Sequence, residues 1–174
     1  MCNPPLSPIT NLSTENVDFT PEELFNFMEL AIQEAESNET LKEGGPFGAI
    51  VVDKITKEVV SAAHNEVLLN CDPSCHAEVM AIRKACKKRG TISLDNCVLI
   101  TSAYCCPLCY SCAAWARIST VYFGANLSSA DGFGFADLKM YEDLKRDVPE
   151  NIKFLQVKHP RAVSVFERST SQLY

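Results

Sequence analysis

From residue 44 to residue 157 the chain alternates short β-branched runs with amphipathic segments, and this alternation limits its architecture more than any other feature. "GGPFGAIVVD" at 44–53 predicts a turn and an apolar strand, "DKITK" reverses the chain, and "EVVSAAHN" at 58–65 returns as the second arm of a hairpin. Later strands are expected at "CVLITS" (97–102), "STVYFGA" (119–125) and "IKFLQV" (152–157). Helical periodicity separates them at 75–89, 106–117 and 136–146, and "RAVSVFERSTSQL" ends the chain as a further helix. Ahead of the hairpin, "TPEELFNFMELAIQEA" opens on a capping box of Thr20 and Glu23 with Pro21 at the first helical position. Its apolar face runs Leu24, Phe27, Met28, Ala31, Ile32, Ala35. Ser74 is the expected cap of the helix over 75–89. A hairpin followed by strand–helix–strand repeats predicts a three-layer α/β/α domain with a five-stranded mixed sheet, helices on both faces.

One such domain accounts for residues 20–174 of the 174, leaving 1–19 as a flexible N-terminal arm. That arm lacks the basic start and apolar core of a secretory signal, and no apolar run approaches bilayer-spanning length. A cytoplasmic protein is expected. The formal charge of −6 makes phosphate backbones poor partners, so nucleic acid is an unlikely ligand class. The one basic run, "RKACKKRG" at 83–90, reads as a helix end with cations on the negative dipole terminus and Gly90 as the stop.

Nine cysteines, an odd number, argue against a disulfide framework. Cys2, Cys71, Cys86 and Cys97 are scattered, whereas Cys105, Cys106, Cys109 and Cys112 crowd one helix start. His76, at another predicted helix start, joins them as a candidate metal site. A catalytic zinc takes three protein ligands and leaves a fourth position open, and it makes hydroxide available from water near neutral pH. His76, Cys106 and Cys109 supply that number, the two cysteines lying three apart on one helix face. Glu78 stands two residues after His76, close enough to move protons beside the metal without binding it. His-x-Glu with Pro-Cys-x-x-Cys is the known signature of the zinc deaminases. Cys105–Cys106 and Cys109–Cys112 are other possible pairings, and a fourth cysteine would make the site structural. "CPLC" alone would also suit a redox dithiol.

"HAEVMAIRKAC" and "TSAYCCPLCYSCAAWARI", with "GGPFGAIVV" ahead and "GFAD" behind, resemble the cytidine-deaminase-like superfamily, and within it the bacterial-type guanine deaminases. The resemblance runs from about residue 22 to the last residue. It implies zinc on His76, Cys106 and Cys109, with Pro107 fixing the register, and Glu78 as the proton shuttle. It also implies substrate-binding roles for Asn65, Phe47, Ala77 and Trp115, the two aromatics packing on the base; burial of Trp115 is expected in either role. It further implies a homodimer in which a swapped tail brings Tyr174 to the pocket of the partner subunit. The expected reaction is guanine to xanthine and ammonia; guanosine, another amino-heterocycle and adenosine in transfer RNA are alternatives. Two departures stand out. The family's Glu-Pro before the first zinc cysteine is Tyr104-Cys105 here, which removes an acid and a rigid helix start, and a family aspartate that holds guanine falls at Ser129, with Asp131 nearby.

Overall fold

The computed structural model describes residues 18–127 and 137–145. Helix α1, Pro21–Leu41, starts on the expected capping box: Glu23 N donates to Thr20 Oγ1 at 3.2 Å, and Thr20 N to Glu23 Oε2 at 2.7 Å. It runs beyond the periodic stretch because Asn38, buried in its last turns, donates to the Gly45 carbonyl at 2.9 Å and the Asn65 carbonyl at 2.7 Å. Strands β1 (Gly48–Asp53) and β2 (Val59–His64) form the predicted antiparallel hairpin. After a short helix α2 (Val67–Asn70) come α3 (Ala77–Arg89), β3 (Cys97–Ala103), α4 (Pro107–Trp115), β4 (Val121–Ala125) and α5 (Asp137–Leu144).

Sheet order is β2-β1-β3-β4, antiparallel at β1/β2 and β1/β3 and parallel at β3/β4, so the mixed character is as expected. Four strands lie among the described residues; the fifth expected strand, 152–157, and the terminal helix lie outside them. Alternation along the central strands separates two cores. Ile50, Val52, Val98 and Ile100 pack under α1 with Leu24 and Ala31. Ala49, Val51 and Leu99 face Ala81, Ile82 and Ala85 of α3 and Cys109 and Ala113 of α4. These are the three layers of an α/β/α sandwich, and both helices that begin with candidate metal ligands lie on one face of the sheet.

Three local expectations change. Phe19, assigned to the flexible arm, is buried at 2% exposure, edge-on to Phe27 at 5.5 Å and Tyr122 at 6.3 Å. Its apolar ring is worth more in the α1 core than in water. Ser74 does not cap α3; its N–H and hydroxyl both donate to Asp72 Oδ1, at 2.8 and 2.7 Å, and the cap position falls to His76. Nor does Cys105 cost α4 its rigid start, since Pro107 occupies the first turn.

The basic run behaves as read: Lys87, Lys88 and Arg89 fill the last turn of α3, and Gly90 closes it at φ 66°. Arg89 pairs with Asp53, whose Oδ1 also accepts from Ile55 N at 2.8 Å and Thr56 N at 2.9 Å across the hairpin turn. The Arg89 guanidinium is the main reason that the Asp53 carboxyl is lowered from 3.8 to about 2. A depressed carboxylate contributes stability above its unfolded value and loses it as pH falls through the folded one. Acid unfolding therefore gains a component between pH 3.8 and about 2, and Asp53→Asn removes it in a urea titration run against pH.

Candidate active site

His76 and Cys106 each occupy the residue before a helix, in extended conformation, and neither makes a side-chain cap bond. The two helix N-termini converge as the sequence suggested. His76 Nδ1, Cys106 Sγ and Cys109 Sγ form a triangle with every edge at 3.5 Å. Bond lengths of ~2.3 Å to sulfur and ~2.0–2.1 Å to nitrogen give a tetrahedron with edges of roughly 3.6–3.8 Å. The three atoms therefore fit a zinc ion with little movement. Cys105 and Cys112 are not in the converging group, which comprises His76, Cys106 and Cys109 among the described residues. A four-ligand structural site closed by either cysteine finds no support in this geometry.

Electrostatics suit a cation. The Cys106 thiol is lowered to about 4, first by the hydrogen bond from Cys109 and, against burial, by the His76 ring. In the same contact the His76 pKa rises, chiefly through its hydrogen bond to Cys106. Oriented N–H groups at both helix starts favour the thiolate further.

A cavity of about 380 Å³ opens beside the triangle, within the range of small-molecule sites. Phe47, Asn65, His76, Glu78 and Cys106, all named from the sequence, are among the residues that line it. Glu78, in the first turn of α3, is 5% exposed, and burial pushes its pKa up. A carboxyl held in that state exchanges protons more readily near neutral pH than a solvated one. Asn65 is also buried, and its Oδ1 is engaged by Gly45 N at 3.3 Å and Val67 N at 3.1 Å. Its carboxamide oxygen therefore organises the turn between the Gly44–Gly45 segment and α2.

The other assignments fare differently. Ala77 packs its methyl fully into the core and does not line the cavity, leaving its backbone N–H at the first position of α3 as what it can offer. Trp115, expected to be buried and on the base, is 66% exposed and outside the cavity lining. Helix α4 buries Cys109 and Ala113, one turn apart, and a residue two beyond Ala113 points to the opposite side. Tyr174, Ser129 and Asp131 lie outside the described residues. Besides Gly44, Gly45, Val67 and Leu68, the lining includes Asp137 and Tyr104, to which the sequence assigned no site role. Asp137 reaches the cavity from the start of α5, and its only signal was the last letter of "GFAD". Tyr104, read only as a lost glutamate, forms the cavity wall and meets Phe123 edge-on at 4.9 Å.

Gly44 shapes the same wall. A Cβ there would lie 2.0 Å from Asn65 Oδ1 and 2.5 Å from the Asn65 carbonyl. Gly44→Ala is expected to displace Asn65, raising KM by roughly ten-fold or more and costing about 1–3 kcal/mol by urea denaturation.

The family model for the cytidine and deoxycytidylate deaminase zinc-binding region matches residues 21–125, an interval that contains the metal triangle and Glu78. The chain belongs to this deaminase family. It is a zinc-dependent hydrolytic deaminase of the cytidine-deaminase fold. Among relatives of this deaminase, guanine deaminase of Bacillus subtilis is 39% identical over 125 residues, 71% of this chain and 79% of that one. Its X-ray structure superposes with TM-score 0.80 at 34% identity, covering 86% of this chain and 98% of that one. A tRNA-specific adenosine deaminase of Aquifex aeolicus is 36% identical over 100 residues, 57% of this chain and 64% of that one. The structure of NE0047 in complex with 2,6-diaminopurine superposes with TM-score 0.61 at 26% identity, covering 64% of this chain and 61% of that one.

Proposed function

We infer that this deaminase acts on guanine, adding water at C2 and releasing xanthine and ammonia. The observation that carries the reading is a buried carboxyl, Glu78, beside a three-ligand metal triangle in a cavity large enough for a purine. His76, Cys106 and Cys109 hold the zinc, which when bound activates water for attack near neutral pH. Glu78 would take one proton from water and give it to the ring nitrogen beside C2, then take the second proton from the added hydroxyl and give it to the amine, which departs as ammonia. Asn65 donates from its amide nitrogen to a purine acceptor, since its oxygen is already engaged by two backbone N–H groups. Asp137 accepts from the purine's N–H edge, the task sequence reasoning gave to Ser129 or Asp131. Phe47 and Tyr104 shield the base from water.

The similarity to the Bacillus subtilis guanine deaminase supports guanine over adenosine in transfer RNA. So does charge: the basic turn of α3 is at the opposite helix end from His76, and the cavity itself carries Glu78 and Asp137. The proposal extends to a cytoplasmic homodimer with exchanged tails, Tyr174 closing the cavity of the partner subunit. Unpaired cysteines among the described residues fit a reducing compartment, and exposed Tyr110 and Trp115 offer α4 an apolar contact surface. Ammonia release from guanine, guanosine, adenine, cytosine and transfer RNA is the test, run beside light scattering for mass. Guanine is expected to lead. Preference for guanosine or transfer RNA would overturn the substrate assignment.

A further inference from the structure

His64 is not a ligand, does not line the cavity, and has no motif around it, yet both its ring nitrogens are engaged. Nδ1 lies 3.2 Å from Glu34 Oε2 on α1, and Nε2 lies 2.7 Å from Glu43 Oε2 in the turn after α1. A neutral imidazole has one N–H, so one of these contacts would set two acceptors against each other. The arrangement is satisfied by an imidazolium donating to both carboxylates. Glu43 immediately precedes Gly44 and Gly45, which line the substrate cavity and pack against Asn65, the residue after His64. The Glu43 carbonyl also accepts from Leu68 N at 2.8 Å and Leu69 N at 3.0 Å, so this turn anchors α2 as well.

We propose that His64 is a positioning residue for substrate binding, pinning Glu43 to Glu34 and so holding the Gly44–Gly45 turn and Phe47 in place as the cavity wall. The inference rests on the reading of that cavity as the purine site. With the pin absent, two carboxylates face each other beside the turn, and their repulsion loosens the wall that Asn65 and Phe47 share.

The charged groups around His64 are Glu34 from α1, Glu43 from the turn, and Glu66 ahead of α2, itself paired with Lys84 of α3 at 3.1 Å. Burial lowers the His64 pKa, but hydrogen bonds to Glu43 and Glu34 and the charges of both carboxylates outweigh it, and the net shift is upward. A raised histidine pKa means that the pin is complete below the ordinary value and is lost as pH rises through the raised folded one.

The experiment is an NMR titration of the His64 ring and the Gly44 and Gly45 amides in the zinc-loaded full chain, beside KM and kcat for guanine. His64 should titrate above the ordinary 6.5, and both glycine amides should shift with its midpoint. KM should rise roughly ten-fold over that limb, with zinc content constant and the limb absent from kcat. His64→Gln and, independently, Glu43→Gln should remove the limb from KM. A His64 midpoint at or below 6.5, glycine amides indifferent to it, or a limb that persists in both variants would overturn the proposal. Coupled titration of His64 and the glycines without any guanine turnover would leave the pin standing and strike out the substrate reading alone.

Discussion

Replacing Glu78 by Gln should leave the zinc in place and reduce ammonia release by roughly 10²–10⁴-fold. The amide keeps the size of the carboxyl and its position in the first turn of α3, so α3 and the sheet beneath it have no reason to rearrange. What it cannot do is accept a proton from water and return it to the substrate. Burial raises the wild-type pKa and brings the neutral and charged forms closer in energy, which suits the proton transfers proposed for Glu78. The effect should appear in kcat, because the cavity-lining Asn65 and Phe47, proposed above to bind the base, are untouched. Steady-state kinetics with zinc quantified in the same samples is the check. Activity near wild type in the variant would move the proton carrier elsewhere, and Asp137, which also lines the cavity, would be the next group to test.

A comparably large loss is expected for Cys109→Ala, but with a different signature. Neither α3 nor α4 has a side-chain cap; in both, the cap residue is a metal ligand instead. Metal held by His76, Cys106 and Cys109 would thus tie together two helix starts that lack side-chain cap bonds. Cys109→Ala should abolish zinc retention, reduce deamination by more than about 10³-fold and lower Tm, whereas Glu78→Gln should leave Tm alone. Cys105→Ala and Cys112→Ala serve as controls. Both residues lie outside the triangle, so both variants should retain one zinc per chain. Loss of metal in either control, with retention in Cys109→Ala, would reassign the ligands.

Much of the fold was legible because its determinants are local. The Thr20–Glu23 box, the hairpin over 48–64 and the glycine stop at 90 each depend on neighbours within a few residues. The metal triangle was legible for a chemical reason: few residue types bind zinc, and their spacing on helix starts is confined. What escaped the sequence depends on distant partners. The final turns of α1 exist because Asn38 finds carbonyls at Gly45 and Asn65, and α2 because the Glu43 carbonyl takes two of its N–H groups. Ser74 looked like a cap until Asp72 claimed it. Trp115 looked like core by its chemistry, but α4 turns its small residues inward so that the metal cysteines can reach His76. Tyr104 and Asp137 join the cavity across more than thirty residues of chain, and no periodicity carries that information.

X-ray absorption at the zinc edge of the purified protein, with total metal quantified on the same sample, tests the central claim most directly. The predicted result is one zinc per chain bound by two sulfurs, one imidazole nitrogen and one further light atom. A protein purified without transition metal, or a zinc shell of three or four sulfurs, would contradict it.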